Sequence, residues 1–354
     1  GASVLIELAM QAQSQNIGLK AAALGHTSGN VIVVGNNIQS ASDLKGKTFA
    51  IPHRSSSHNI LLQEMLDERR SNYSQHPIYL TTFYREGVER KKGLVGLTEA
   101  VFKVYKASYH SNALADQVKL LKMRRISNEQ EKDTLITKMK SGIYSCLVLD
   151  LMKQLPEFLD PSPDSPYTYA HTDITVVDDR LANVISFEQR KSINEPLYRG
   201  QIYIDMENNA LLRVDFEVNP QYIEQAAGMF VERKSRNLRI TPQKVAYTVS
   251  YKQWNGTYYI NHIRGDLHFK IKKRRQLFNT NILHTWFEMV TCKIDTANVN
   301  RFSRIESLPT RTVFSDTHFN YDEGFWGDFN VILPEDKLNE AISRITSKIE
   351  ETNY

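Results

Sequence analysis

The chain has 354 residues, 41% of them hydrophobic and 24% charged, with a formal net charge of +4. This is ordinary globular composition, long enough for two or three domains and a sizeable core. The mild positive balance falls well short of a nucleic-acid footprint, and no apolar run approaches the roughly 20 residues that span a bilayer as a helix.

Two sequence styles meet near residues 66 to 76. In the first, Val4 to Gln13 carries apolar residues at helical spacing, and Ile17 to Leu24 reads as a short strand ending at Gly25. Asn30 to Val34 is a continuous β-branched run, the pattern of a strand buried on both faces. Asp43 to Pro52 holds a short helical turn and a third strand, Thr48 to Ile51. Ser55, Ser56 and Ser57 then offer N-caps to a helix from His58 to Leu66 with an Ile60, Leu61, Met65 stripe. Amides and hydroxyls at a helix start suit a carboxylate, sulfonate or phosphate oxygen, although ordinary capping uses the same residues.

The order Ala23 to Asn30, Val31 to Val34, Asp43 to Pro52 and Ser55 to Leu66 resembles the periplasmic substrate-binding proteins of nitrate, sulfonate and taurine transporters. The resemblance implies an α/β lobe in which Ser28, Gly29, Ser55, Ser56, Ser57 and His58 contact a small anionic or heterocyclic ligand. It covers about the first 66 residues, a fraction of the family's length. Residues 1–66 are therefore expected to form a partial α/β segment and 67–76 a junction.

From Tyr73 onward the chain is aromatic, charged and strand-rich. Pro77 to Gly87, Gly96 to Lys106 and Gln117 to Arg125 read as strands, and Glu129 to Lys140 and Leu147 to Phe158 as helices. After a Pro-Ser-Asp loop at 161–166 comes a run of hairpin-length strands: Tyr167 to Asp173, Ile174 to Asp178, Ala182 to Gln189, Tyr198 to Asp205 and Ala210 to Val218. Tyr222 to Val231 reads as a helix, and Ala246 to Gln253, Thr257 to Ile271, Phe278 to Asp295 and Thr312 to Phe314 continue the sheet. Asn255-Gly256 is the strongest hairpin signal in the chain. Glu335 to Glu351 predicts a closing helix with Leu338, Ile342, Ile345 and Ile349 on one stripe.

These elements predict an α+β fold: a mainly antiparallel curved sheet or half-barrel over 77–333 with covering helices near 129–158, closed by a helix in 334–354. Such a sheet either fills a core with its apolar face or holds an acyl chain or extended peptide on it. The segments Thr82 to Glu86, Glu99 to Lys106, Asp116 to Arg124, Val184 to Phe187, Gly200 to Asp205 and Phe325 to Asn330 resemble envelope proteins labelled carboxypeptidase-like regulatory-domain proteins. That label belongs to a preceding β-sandwich and implies no peptidase chemistry. Leu197 to Val218 is also similar to the strand-turn-strand of lipoprotein-carrier half-barrels. The resemblances imply a periplasmic or cell-envelope protein, peripheral to the membrane at most; no signal sequence is visible in this chain.

Catalytic signatures do not emerge. The 10 histidines form no His-Glu-x-x-His helix, and there is no Gly-x-Ser-x-Gly elbow, P-loop or Gly-x-Gly-x-x-Gly. His262 and His268 share a strand face but stand about 20 Å apart by strand rise. Cys146 and Cys292 sit in apolar surroundings without CxxC spacing, readable as free thiols or as one long-range disulfide. The basic runs at 119–125 and 270–275 read as solvated faces, or as patches toward anionic lipid or an acidic partner. Phe325-Trp326 is read as packing against the terminal helix or as a docking edge. The expectation is a non-enzymatic protein with no cofactor, metal or nucleic-acid partner, binding a lipidic or peptidic partner in a sheet groove. Solute binding at Ser28 and Ser55 to Ser57 is the alternative.

Overall fold

The computed structural model describes residues 2–5, 20–24, 30–34, 57–90, 93–109, 115–127, 142–230, 238–273, 280–310, 317, 319–326 and 346–349. Strands β1 (Ala2–Leu5), β2 (Lys20–Leu24) and β3 (Asn30–Val34) form a small antiparallel sheet in the order β1-β3-β2. The continuous apolar run, expected as a strand, is the central strand of this sheet. Of the helix expected from Val4 to Gln13 only Val4 and Leu5 are described, and they pair with Val31 and Asn30 in β1; 6–13 and 43–52 lie outside the described residues. A central strand needs a partner on each side, and that pairing overrides a weak helical period.

The large sheet contains β4 (Ile78–Arg90), β5 (Gly93–Lys106), β6 (Gln117–Ser127), β7 (Tyr167–Val177), β8 (Arg180–Gln189), β9 (Tyr198–Asp205), β10 (Leu211–Val218), β11 (Leu238–Trp254), β12 (Thr257–Lys273) and β13 (Thr280–Asp295). Its order is β6-β5-β4-β13-β12-β11-β10-β9-β8-β7, and every pairing is antiparallel. One long-range junction, β13 against β4, joins the two halves. At about 20–25° of twist per pairing, a ten-stranded sheet turns through roughly 200° from edge to edge. Bulges in β5, β7 and β11 add local bends. The result is an open, curved antiparallel sheet, the fold class read from the sequence.

Alternation decides which face is covered. In β10, Leu212, Val214, Phe216 and Val218 are buried while Arg213, Asp215 and Glu217 point the other way. The buried set joins one core with Ile202 and Ile204 of β9, Val245, Val249 and Tyr251 of β11 and Leu80, Tyr84 and Phe102 of β4 and β5. Helices α1 (Ser57–Asp67) and α3 (Gly142–Val148) lie on this face, contributing Leu62, Met65, Ile143 and Cys146. Leu62, Met65 and Tyr73 therefore pack with the large sheet, and the expected boundary at 66/67 falls inside this packed unit. The Tyr73 hydroxyl donates to Leu211 O (3.2 Å) and accepts from Leu211 N (3.1 Å), holding the segment after α1 and the short helix α2 (Arg69–Asn72) against β10.

Several local expectations are corrected. The helix expected at Leu147 to Phe158 lies earlier, as α3; a turn follows, then a 3-10 helix at Glu157–Leu159. The chain leaves the helix because the Asp150 carboxylate is drawn into a buried polar cluster and Pro156 cannot donate to a continuing helix. The two strands expected at 167–178 are one strand, β7, whose register shifts between His171 and Asp173. The segments at 129–140 and 312–314 fall outside the described residues. Of the expected closing helix only 346–349 is described, and it is helical. There Ile349 packs with Phe83, Val101, Phe325 and Trp326 in a second cluster on the opposite face of β4 and β5. The packing reading of Phe325-Trp326 therefore holds.

Hairpin chemistry is as read: Asn255 and Gly256 take φ of 48° and 80°, and Asp178 and Asp179 take 46° and 63°. These are the left-handed pairs that match strand twist. Cys146 and Cys292 are free thiols.

Candidate functional site

The covered face is filled rather than hollow where it is described. Leu149, Leu151, Met152, Phe158 and Leu159 run across it, all buried. Phe158 stacks on Phe187 with centroids 4.6 Å apart and contacts Phe216 at 5.1 Å. At neighbouring Gly200, which pairs with both Phe187 and Phe216, a Cβ would lie 2.7 Å from Phe216 Cα. The missing side chain permits that close approach of strands.

A buried charge cluster pins this covering segment. Asp150, fully buried, accepts hydrogen bonds from the Tyr109 and Tyr251 hydroxyls (2.8 Å each) and pairs with Lys106. Lys106 also meets Asp116 at 2.9 Å, and Asp116 pairs with Lys153. Burial pulls the Lys106 pKa down, but Asp116 and Asp150 overcome it and hold the ammonium well above its ordinary value. Burial raises the Asp116 pKa, yet Lys106 and Lys153 win and leave it depressed. Burial and then the Asp150 charge push the Tyr109 phenol well up. The shifts favour a charged Lys106 and Asp116 and a neutral Tyr109, the forms in which these contacts hold the covering segment. The signal was present in the sequence, in charges placed inside apolar runs (Tyr105-Lys106-Ala107 and Leu149-Asp150-Leu151), but no spacing rule says that those runs meet.

The other face is open. Across β7 to β11 it carries a groove of about 610 Å³, lined by Ser186, Arg199, Gln201, Asp215, Lys244 and Thr248 among others. That size lies within the range of about 300–1,000 Å³ typical of ligand sites. The floor is an ordered polar lattice: Arg199 pairs with Glu217 at 2.7 Å, Thr248 donates to Asp215 at 2.8 Å, and Tyr203 donates to Gln201 at 2.9 Å. Donors and acceptors alternate at strand spacing, suited to an extended polar chain, and the lining residues include no Ser, Cys or Lys paired with a histidine base.

Histidines gather on the same face of β12 and β13. His262 lies 2.7 Å from Glu288, and the His268 and His284 rings stack at 4.2 Å. His284 sits between Asp266 (3.0 Å) and Glu89 (3.3 Å). The hydrogen bond to Asp266 raises the His284 pKa against burial, while burial and then His284 lower that of His268. Sequence spacing kept His262 and His268 apart correctly; it missed that each finds a cross-strand partner on β13. Among the described residues no group of three or more His, Cys, Asp and Glu could hold a metal ion, and no helix is long and apolar enough to cross a membrane.

Of the residues expected to bind a small anion, Ser28, Gly29, Ser55 and Ser56 lie outside the described residues. Ser57 opens α1, and His58 stacks 6.4 Å from Tyr169 of β7, against the large sheet.

Fold and groove together define an open-sheet protein with one filled face and an opposite face left open across β7 to β11. No family model and no curated protein matches the chain, so neither resemblance read from the sequence gains support from them. Among solved structures it is similar to an outer membrane lipoprotein-sorting protein domain from Vibrio parahaemolyticus, at 9% identity and a TM-score of 0.30 over 68% of this chain and 93% of that one. A DUF1329 family protein from Desulfovibrio piger matches at 12% identity and 0.30 over 68% and 94%. A LolA superfamily protein from Nitrosomonas europaea matches at 6% identity and 0.21 over 70% and 96%. Likenesses this distant carry no argument about this chain, and the fold stands on its own strand order.

Proposed function

We propose that this chain is a non-enzymatic binding protein of the cell envelope that holds a peptidic partner in the polar groove across β7 to β11. The observation that supports the reading most is the division of the sheet: the covered face is packed with side chains, whereas the open face offers a large groove of alternating donors and acceptors. An extended peptide presents the complementary alternation of N–H and C=O groups. The reading is tested by amide-shift mapping with a pooled hexapeptide library. Shifts at Ser186, Gln201 and Thr248, lost in Arg199→Glu/Lys244→Glu, support it. Unchanged groove amides refute it.

A lipidic partner is the second reading, favoured by the aromatic shelf of Phe158, Phe187, Phe216 and Tyr198. An acyl chain would displace Phe158. Lysophosphatidylglycerol micelles that shift Phe158 and Met152, and leave the groove unchanged, would favour this reading over the peptidic one.

A further inference from the structure

The two edges of the large sheet are treated differently by the chain. Edge strand β6 is covered by the chain's own later residues: Leu308 N donates to Val118 O at 2.7 Å, Gln117 exchanges hydrogen bonds with Phe302, and Lys119 pairs with Glu306 at 2.8 Å. On edge strand β7 the first half lies under α1, where His58 meets Tyr169. The second half, 173–177, has no strand beside it among the described residues.

Turn geometry fixes which backbone groups face outward there. Asp178 and Asp179 form a two-residue turn with both φ positive, so Val177 and Arg180 close the ladder and Val176 points its N–H and C=O away from β8. Ile174 shares that orientation, but its N–H is taken by the Asp173 carboxylate at 2.8 Å. Val176 is 61% exposed, its cross-strand neighbour Leu181 57% and Ile174 41%, and Met206, whose N–H bonds to Leu181 O, is 45% exposed. Around this apolar strip stand the exposed carboxylates of Asp173, Asp178 and Asp179. Glu207 is engaged by Arg180, which also pairs with buried Asp205.

We propose that the free half of β7 is a docking edge for an extended, basic, β-branched segment of a partner protein, which adds as an eleventh strand. The carboxylates decide the occupant. They repel a second copy of the same acidic edge and any acidic strand, and they attract lysine or arginine side chains on a strand whose apolar residues cover Ile174, Val176 and Leu181. This surface goes beyond the groove reading and can fail separately from it, because Val176 does not line the groove.

The probe is a fluorescein-labelled nine-residue peptide alternating valine and lysine, followed by anisotropy at low ionic strength, with glutamate replacing lysine in the control. The basic peptide is expected to bind at least tenfold more tightly than the acidic one. Val176→Pro, which removes the outward N–H and leaves the ladder bonds to β8 in place, and Val176→Gln/Leu181→Gln, which keeps that N–H and adds no charge, should each weaken binding about tenfold. Asp178→Asn/Asp179→Asn should weaken it severalfold, with a smaller salt dependence. Equal binding of the two peptides, or unchanged affinity in both folded Val176 variants, overturns the proposal. So does sedimentation showing a dimer that Val176→Pro dissolves, since the edge would then belong to a second copy.

Discussion

Removing the Asp150 carboxylate tests the physical account most sharply. In Asp150→Ala two buried phenols, those of Tyr109 and Tyr251, lose an acceptor at 2.8 Å. Each orphaned buried hydroxyl costs about 1–3 kcal/mol. Lys106 keeps Asp116 at 2.9 Å, so its loss is partial. Breaking one arm of a buried ionic cluster this way costs about 3–5 kcal/mol in all. Asp150→Asn keeps an acceptor but not the charge and should lose about half as much. Tyr109→Phe removes one hydrogen bond and should cost about 1 kcal/mol. Urea unfolding followed by tryptophan fluorescence should show the midpoint falling in that order with unchanged slope. A loss below about 1 kcal/mol in Asp150→Ala would mean that the cluster contributes little, and the assignment of the covering segment's anchor would be wrong.

Other consequences follow from the same geometry. Trp326 is fully buried against Phe83, Val101 and Ile349, so Trp326→Ala should cost about 3–5 kcal/mol in thermal or urea unfolding. Gly200→Ala places a methyl against the β10 backbone and should cost about 1–3 kcal/mol, with Phe158 packing loosened as read by near-ultraviolet circular dichroism. The histidine pair should titrate in opposite senses. His284, raised chiefly by Asp266, with Glu89 adding to it, contributes stability that is full below its unfolded value near 6.5 and is lost as pH rises through its folded pKa. His268, lowered by burial and by His284 with Lys244 nearby, contributes stability that is full above 6.5 and is lost as pH falls below it through the folded pKa. Ring-proton NMR titration should place His284 above 6.5 and His268 below it; the reverse order contradicts the cluster geometry.

Much of the sheet was legible because its strands announce themselves locally. Leu212 to Val218 alternates residue by residue, and Asn255-Gly256 is the dipeptide of a tight hairpin turn. The small sheet shows the limit. Asn30 to Val34 is identifiable as a strand, but Val4 and Leu5, which pair with it, open a stretch whose period reads as a helix. The covering segment was harder still, since Asp150 ends a helix by finding Tyr109 and Tyr251, residues 41 and 101 positions away. The groove was invisible for the same reason. Ser186, Gln201, Asp215 and Thr248 are unremarkable polar residues on solvent faces of their strands, and only the register of β8 to β11 sets them in a row. His268 and His284 likewise meet only through the pairing of β12 with β13. Local chemistry writes strands and turns; order across the sheet is written in distant contacts.

Thiol reactivity measures the central division of the sheet into a sealed and an open face. Cys146 is 1% exposed on the covered face, and burial, with Glu86 and Glu288 adding to it, raises its pKa well above the ordinary thiol value. A cysteine at Gln201→Cys would stand in the groove. Under native conditions a disulfide reagent should modify the groove thiol at the rate of a free cysteine, while Cys146 reacts only as fast as the whole chain unfolds. Reaction of Cys146 at a rate comparable to the groove thiol would show the covered face to be open, and the two-faced account would fail.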